Sequence, residues 1–198
     1  MPDYDRVEKI SIVPRTASAG ATLFVPNEER LAAGFYSRSF LLSQLSVALG
    51  GRAAEELAFG ADSVTTGAAD DLRAVTKTAR LMVEVAGLSR RFTHAAMRGP
   101  DGDVSVRTAD EAAREVAAVV QEAYARALAL LRDNRGALER VAQRLIDREM
   151  MDGAELDELL AAEGARMCTT LRVAAEAPAA DAAPSAAGSA AGGDGSKR

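Results

Sequence analysis

Two adjacent carboxylates, Asp70 and Asp71, follow a small-residue loop in "VTTGAADDL", and a second acidic pair, Glu55 and Glu56, precedes them in "GGRAAEELAFG". Such grouping suggests one side of a site. Asp71 falls in the first turn of a predicted helix, where unpaired backbone N–H groups and the helix dipole favour negative charge. That setting keeps the carboxylate ionised, as a metal ligand must be. The same two acids also fit an ordinary helix N-terminus, where acidic residues are common, so spacing alone leaves both readings open. Other metal-binding side chains are sparse: one histidine, His94 in "RRFTHAAM", and one cysteine, Cys168. A lone histidine cannot make a two-histidine site, and His94 reads as a loop residue more readily than as a replacement ligand. A lone cysteine excludes an internal disulfide and a thiolate metal cluster, which leaves Cys168 inert.

The elements that must position these residues are helical. In "YSRSFLLSQLSVALGGRAAEELAFG", Leu41, Leu42, Leu45, Ala48 and Leu49 recur three to four residues apart, with Ser37 or Ser39 as the cap. Gly50 and Gly51 either break that helix or mark close approach of another backbone. A further helix carries Leu72, Val75, Ala79, Met82 and Ala86, with Thr66 as its N-cap and Gly87 as its stop. "RRFTHAAMRGPDGDVSVR" reads as loop. "TADE" at 108–111 has capping-box spacing ahead of a long amphipathic run whose stripe is Val116, Val120, Tyr124, Ala127 and Leu131. "DNRG" interrupts it. A second helix then turns Leu138, Val141, Leu145 and Ile146 inward, and a short last one, capped by Asp152 and Glu155, ends at Gly164.

Ahead of the helices, "VEKISIVPR" places Ile10 and Ile12 on one side of a strand and Lys9 and Ser11 on the other, and "ATLFVP" is a second β-prone run. "NEERLAAGF" reads as a polar connection. The fold class predicted is mainly α: a short N-terminal two-stranded β element followed by a helical bundle over residues 1–171. Residues 172–198, rich in Ala, Gly, Ser and Pro, have nothing to bury against the entropy of ordering and read as a disordered tail.

Composition sets the outer limits. The 198 residues suit one domain with a core, and no tryptophan, five phenylalanines and three tyrosines point to closely packed helices rather than a sandwich. A net charge of −5 offers no uniform basic surface, so no nucleic-acid partner is expected. No stretch approaches the roughly 20 apolar residues of a spanning helix, and "MPDYDRVEK" lacks the regions of a signal peptide.

Taken together, "GGRAAEELAFG", "VTTGAADDL" and "KTARLMVEVAGLS" resemble the peptidase domain of the FtsH family of ATP-dependent zinc metalloproteases. The likeness extends through "KISIVPR", "SRSFLLSQLSVALGGRAAEE" and "LIDREMMDGAEL", so residues 5–164 follow the family in order. "VPNEERLAAGFYSRSFL" is most similar to its cyanobacterial and plastid branch. The resemblance implies a zinc ion held by the two histidines of an HExxH helix and by an aspartate of the TTGA-x-x-D-L segment, here Asp71 rather than Asp70. The HExxH glutamate would be the general base, and the metal would acidify a bound water. The resemblance puts Glu55 and Glu56 near the metal, grouped with Arg52, Thr66 and Gly67; a solvated or salt-bridged helix face is the competing reading. It also makes Thr22, Leu23 and Phe24 an edge for an extended polypeptide substrate, against the plainer reading of a core strand.

These residues contain no HExxH and no G-x-x-x-x-G-K-[ST]. By the family register HExxH would end a few residues upstream of Met1, so the catalytic residues in this chain are none, and ATP would act only through an ATPase module not found here. Three expectations follow from the resemblance. The chain is an FtsH-like peptidase domain, inactive alone; or it is a non-catalytic subunit of FtsH-type hexamers; or its start is misassigned within a full protease. Implied partners are polypeptide substrates and FtsH-like homo- or hetero-oligomers, and the implied location is a chloroplast thylakoid or another FtsH-bearing membrane.

Overall fold

The computed structural model describes residues 4–14, 20–91 and 106–166, the side chains of 106–108 excepted. His94, Cys168 and the predicted tail lie outside them. Strands β1 (Arg6–Ser11), β2 (Ala21–Val25) and β3 (Met150–Asp152) form a sheet in the order β2-β1-β3, with β1 antiparallel to both neighbours. The helices are α1 (Glu28–Ala33), α2 (Arg38–Ala48), α3 (Gly50–Phe59), α4 (Ala69–Arg80), α5 (Val106–Asp133), α6 (Arg135–Arg148) and α7 (Gly153–Ala162). Mainly α is therefore correct, with a small sheet.

The core forms where α2, α4 and α5 meet. Phe40, Leu41, Leu42, Leu45 and Leu49 of the α2 region pack on Val75, Ala79, Met82 and Val83, and on Ala112, Val119 and Ala123 of α5. Alanine at two of these α5 positions, Ala112 and Ala123, lets the helices approach closely while burying apolar surface. Ser37 is the cap of α2, its hydroxyl accepting from the Phe40 N–H at 3.1 Å. The Gly50 and Gly51 pair acts as a break: an added Cβ at either would meet no atom within 4 Å, so no backbone approaches them.

Several local expectations are corrected. "NEERLAAGF" is not merely a connection, because Asn27 caps α1 by accepting from the Arg30 N–H at 2.8 Å and Gly34, at φ 67°, ends it. The sheet has three strands rather than two, because "MMD" leaves the end of α6 and pairs with Lys9 to Ser11. Glu149 makes that exit possible by adopting φ 62° after the last turn of α6. Thr108 cannot cap α5, which already includes Val106. Thr66 is not a cap either; Thr65 is, accepting from the Gly67 N–H at 3.1 Å ahead of a 3-10 turn, Thr66–Ala68.

Two helical stripes also shift. Along α4 and the turn after it, Val75, Ala79 and Met82 are buried while Leu72, near the start of α4, is 40% exposed; Ala86 is exposed because a π turn over Leu81–Val85 rotates the chain off the 3.6-residue period before Gly87 stops it at φ 59°. On α6, Leu145 is buried and Ile146 is 67% exposed. The α5 stripe centres on Val119, Ala123 and Ala127, with Val116, Val120, Tyr124 and Leu131 half-buried beside it.

Asp152 caps α7 as expected, its carboxylate accepting from the Glu155 N–H at 2.8 Å, and Gly164 follows at φ 62°. Arg144 then ties α6 to α7 through Glu155 at 2.6 Å.

Candidate functional site

Asp71 stands exposed in the first turn of α4 beside Asp70, which pairs with Arg73. What delivers that turn is the segment before it, and α3 holds the segment at one residue. The Thr65 N–H donates to Glu55 Oε2 at 3.1 Å and its hydroxyl donates to Glu55 Oε1 at 2.7 Å. Arg52 Nη1 donates to the Thr65 carbonyl at 3.3 Å, and Thr65 Oγ1 accepts from Gly67. All the polar groups of Thr65 are thus engaged, three of them by two side chains one helical turn apart on α3.

The neighbouring acid does something different. Glu56 accepts a hydrogen bond from the Tyr124 hydroxyl of α5. Of the residues grouped by the sequence, Arg52, Glu55 and Gly67 converge on Thr65, and Glu56 faces the other way, toward α5. Thr66 contributes its backbone carbonyl, which accepts from the Ala69 N–H as the turn enters α4. Asp71 joins this group through the chain rather than by a side-chain contact that links it to α3.

Sequence reading missed Thr65 and Tyr124. A threonine two residues before a glycine is a recognisable hydroxyl-capped turn, and that signal was available. Tyr124 offered none, since its spacing matches the apolar stripe of α5 and its hydroxyl partner lies 68 residues away.

The Thr65 hydroxyl, then its N–H, hold the Glu55 carboxyl below its ordinary value of 4.5, with Arg52 adding to the effect and burial opposing it. A carboxylate with a lowered folded pKa contributes stability above its unfolded value and loses it as pH falls through the folded one. Glu55→Gln is therefore expected to destabilise the chain by a constant amount from pH 7 to about 5 and by progressively less below the ordinary glutamate range. Urea unfolding of both proteins across pH 3–7 checks this; a difference that never narrows would remove Glu55 ionisation from the account.

A zinc ion needs more donors than are gathered here. Among the described residues no three His, Cys, Asp or Glu side chains come together as a metal cage. Asp71 can offer one oxygen ligand, and these residues by themselves do not fit the ion.

Thr22, Leu23 and Phe24 lie in β2, the outer strand of the sheet. Phe24 turns inward onto Tyr4, edge-to-face at 5.2 Å between centroids, whereas Leu23 is 52% exposed. Among the described residues β2 pairs on one side only, with β1, which makes it an edge strand of this sheet. Among the described residues no helix is long and apolar enough to cross a membrane.

Comparison with known proteins bears on the same residues. The model of Peptidase family M41 matches residues 1–159. The chain is 44% identical over 179 residues to ATP-dependent zinc metalloprotease FtsH 3 of Synechocystis sp., covering 84% of this chain and 29% of that protein. It is 44% identical over 171 residues to the chloroplastic ATP-dependent zinc metalloprotease FTSH 1 of Oryza sativa subsp. japonica, covering 80% and 25%. The corresponding FTSH 1 of Arabidopsis thaliana gives 44% over 171 residues, covering 80% and 24%. The chain thus spans about a quarter of the length of these relatives.

Proposed function

Because the chain belongs to peptidase family M41, we propose that it is the peptidase portion of an FtsH-type ATP-dependent zinc metalloprotease, to which it contributes Asp71 as one zinc ligand. The observation that carries this is the run of likeness at 44% identity through both the α3 segment and the Asp71 turn. Polypeptides are the substrate class, and the exposed edge of β2 supports an extended chain adding a strand beside Thr22, Leu23 and Phe24. ATP would enter through an ATPase module on other residues. The chloroplastic and cyanobacterial relatives support a thylakoid or comparable membrane as the place of work.

In this reading the 198 residues alone cleave nothing. They contain a single histidine and no HExxH, so a three-ligand zinc site and its glutamate base cannot assemble from them. Casein incubated with the purified chain and Zn²⁺ is expected to stay intact. Cleavage abolished by a chelator would overturn that.

A second reading rests on the exposed edge strand as a surface for a neighbouring subunit: a non-catalytic subunit seated in an FtsH-type hexamer. Size-exclusion chromatography with an FtsH-type protease separates the two. Co-migration with the large complex, together with unchanged total activity on adding more chain, favours the subunit; a monomer that ignores the complex excludes it.

A further inference from the structure

We propose that Tyr124 is a positioning residue for the Asp71 turn, acting through Glu56 and helix α3. The inference rests on the reading of Asp71 as a ligand and names the parts that would hold it in place. Helix α3 packs along α5 and carries Arg52, Glu55 and Glu56 within two turns. Glu56 is fastened to Tyr124 on α5, while Arg52 and Glu55 grip Thr65. Thr65 caps the 3-10 turn through Gly67, and α4 begins directly after that turn.

Consecutive residues on a helix point about 100° apart, so one helix surface meets α5 at Glu56 and the Thr65 loop at Glu55. Fixing one carboxylate therefore fixes the azimuth of the other. The hydroxyl suits this task. Burial, and then Glu56 itself, push the Tyr124 pKa above its ordinary value of 10.0, so the group remains a donor throughout the neutral range. Arg52 and Glu55 hold the Thr65 loop and Glu56, on the same helix, accepts from Tyr124 of α5, so α3 itself links the two sets of hydrogen bonds.

A role in packing alone predicts something different from a role in positioning. Loss of packing lowers the stability of the whole fold, and every slowly exchanging core amide accelerates by the same factor. Loss of positioning frees the loop and leaves the core protected. Amide exchange by NMR in Tyr124→Phe reads the two apart. The Thr65 and Gly67 amides, which donate to Glu55 and to Thr65 Oγ1, are expected to exchange about fivefold faster, from the loss of one hydrogen bond. The Leu49 and Leu138 amides, which donate within the main chain at the ends of α2 and α6, should hold their rates.

Glu56→Ala should reproduce the Phe variant, and Glu56→Gln, which keeps an acceptor oxygen, should restore most of the protection. Uniform acceleration at all four amides, or no change at Thr65 and Gly67, overturns the proposal. Either failure leaves the ligand role of Asp71 standing. That role is tested separately, by whether Asp71→Asn abolishes zinc binding in a protease that also carries HExxH.

Discussion

Replacing Gly153 with alanine is expected to lower the unfolding free energy by about 3 kcal/mol, which for a chain of this size is a fall of about 6–12 °C in Tm. Gly153 is buried and begins α7. A Cβ built there falls inside contact range of the Val7 carbonyl oxygen, 3.1 Å from the Val7 carbonyl carbon and 3.4 Å from the Glu8 oxygen. These atoms are backbone and cannot rotate away. They also lie where β1 shifts register against β2, between Val7 and Lys9, so the bulge and the start of α7 fit one another. Alanine must push α7 off the sheet, loosening β3 with it. Urea denaturation of the variant checks this, and a loss below about 1 kcal/mol would mean that the sheet yields more easily than backbone contact implies.

The second large effect belongs to the helical core. Leu42 is 0% exposed and sits in the cluster shared by α2, α4 and α5. Leu42→Ala removes three carbons from a site walled by helices that cannot close in independently, and the expected loss is about 3–4 kcal/mol. The flanking Leu72, 40% exposed in the same helical half, provides the contrast: Leu72→Ala should cost about 1 kcal/mol or less. Calorimetric unfolding of both variants decides it. Equal losses would show that the core does not centre on α2.

The two effects report on separate parts. The sheet and α7 depend on a close approach of backbones, whereas the bundle depends on apolar volume. The Thr65 anchorage lies on the bundle side, through α3 and α5. Gly153→Ala is therefore expected to leave Thr65 amide protection nearly unchanged relative to the core, and the positioning network can be read even in a destabilised sheet.

Much of this protein was determined by the sequence alone. Helical periodicity marked α2, α4, α5 and α6, because a face that must be buried imposes its spacing on the chain whatever it packs against. Ser37, Asp152, Gly87 and Gly164 were readable as caps and stops, because capping is a contact between near neighbours. The resemblance in "VTTGAADDL" points to Asp71 as a ligand, a role proposed on that resemblance. Only the tertiary structure decided what came from afar. The third strand is three residues long and exists because β1 offers it an edge, so no local pattern announces it. The drift of Ala86 out of the core follows from a π turn, which displaces a face that an ideal helix would keep in line, whereas the exposure of Leu72 and Ile146, within regular α4 and α6, is set by which neighbours pack against those helices. The division of labour between Glu55 and Glu56 was equally hidden. Adjacent carboxylates look alike in a sequence, and which of them meets Thr65 or Tyr124 depends on how α3 lies between the loop and α5.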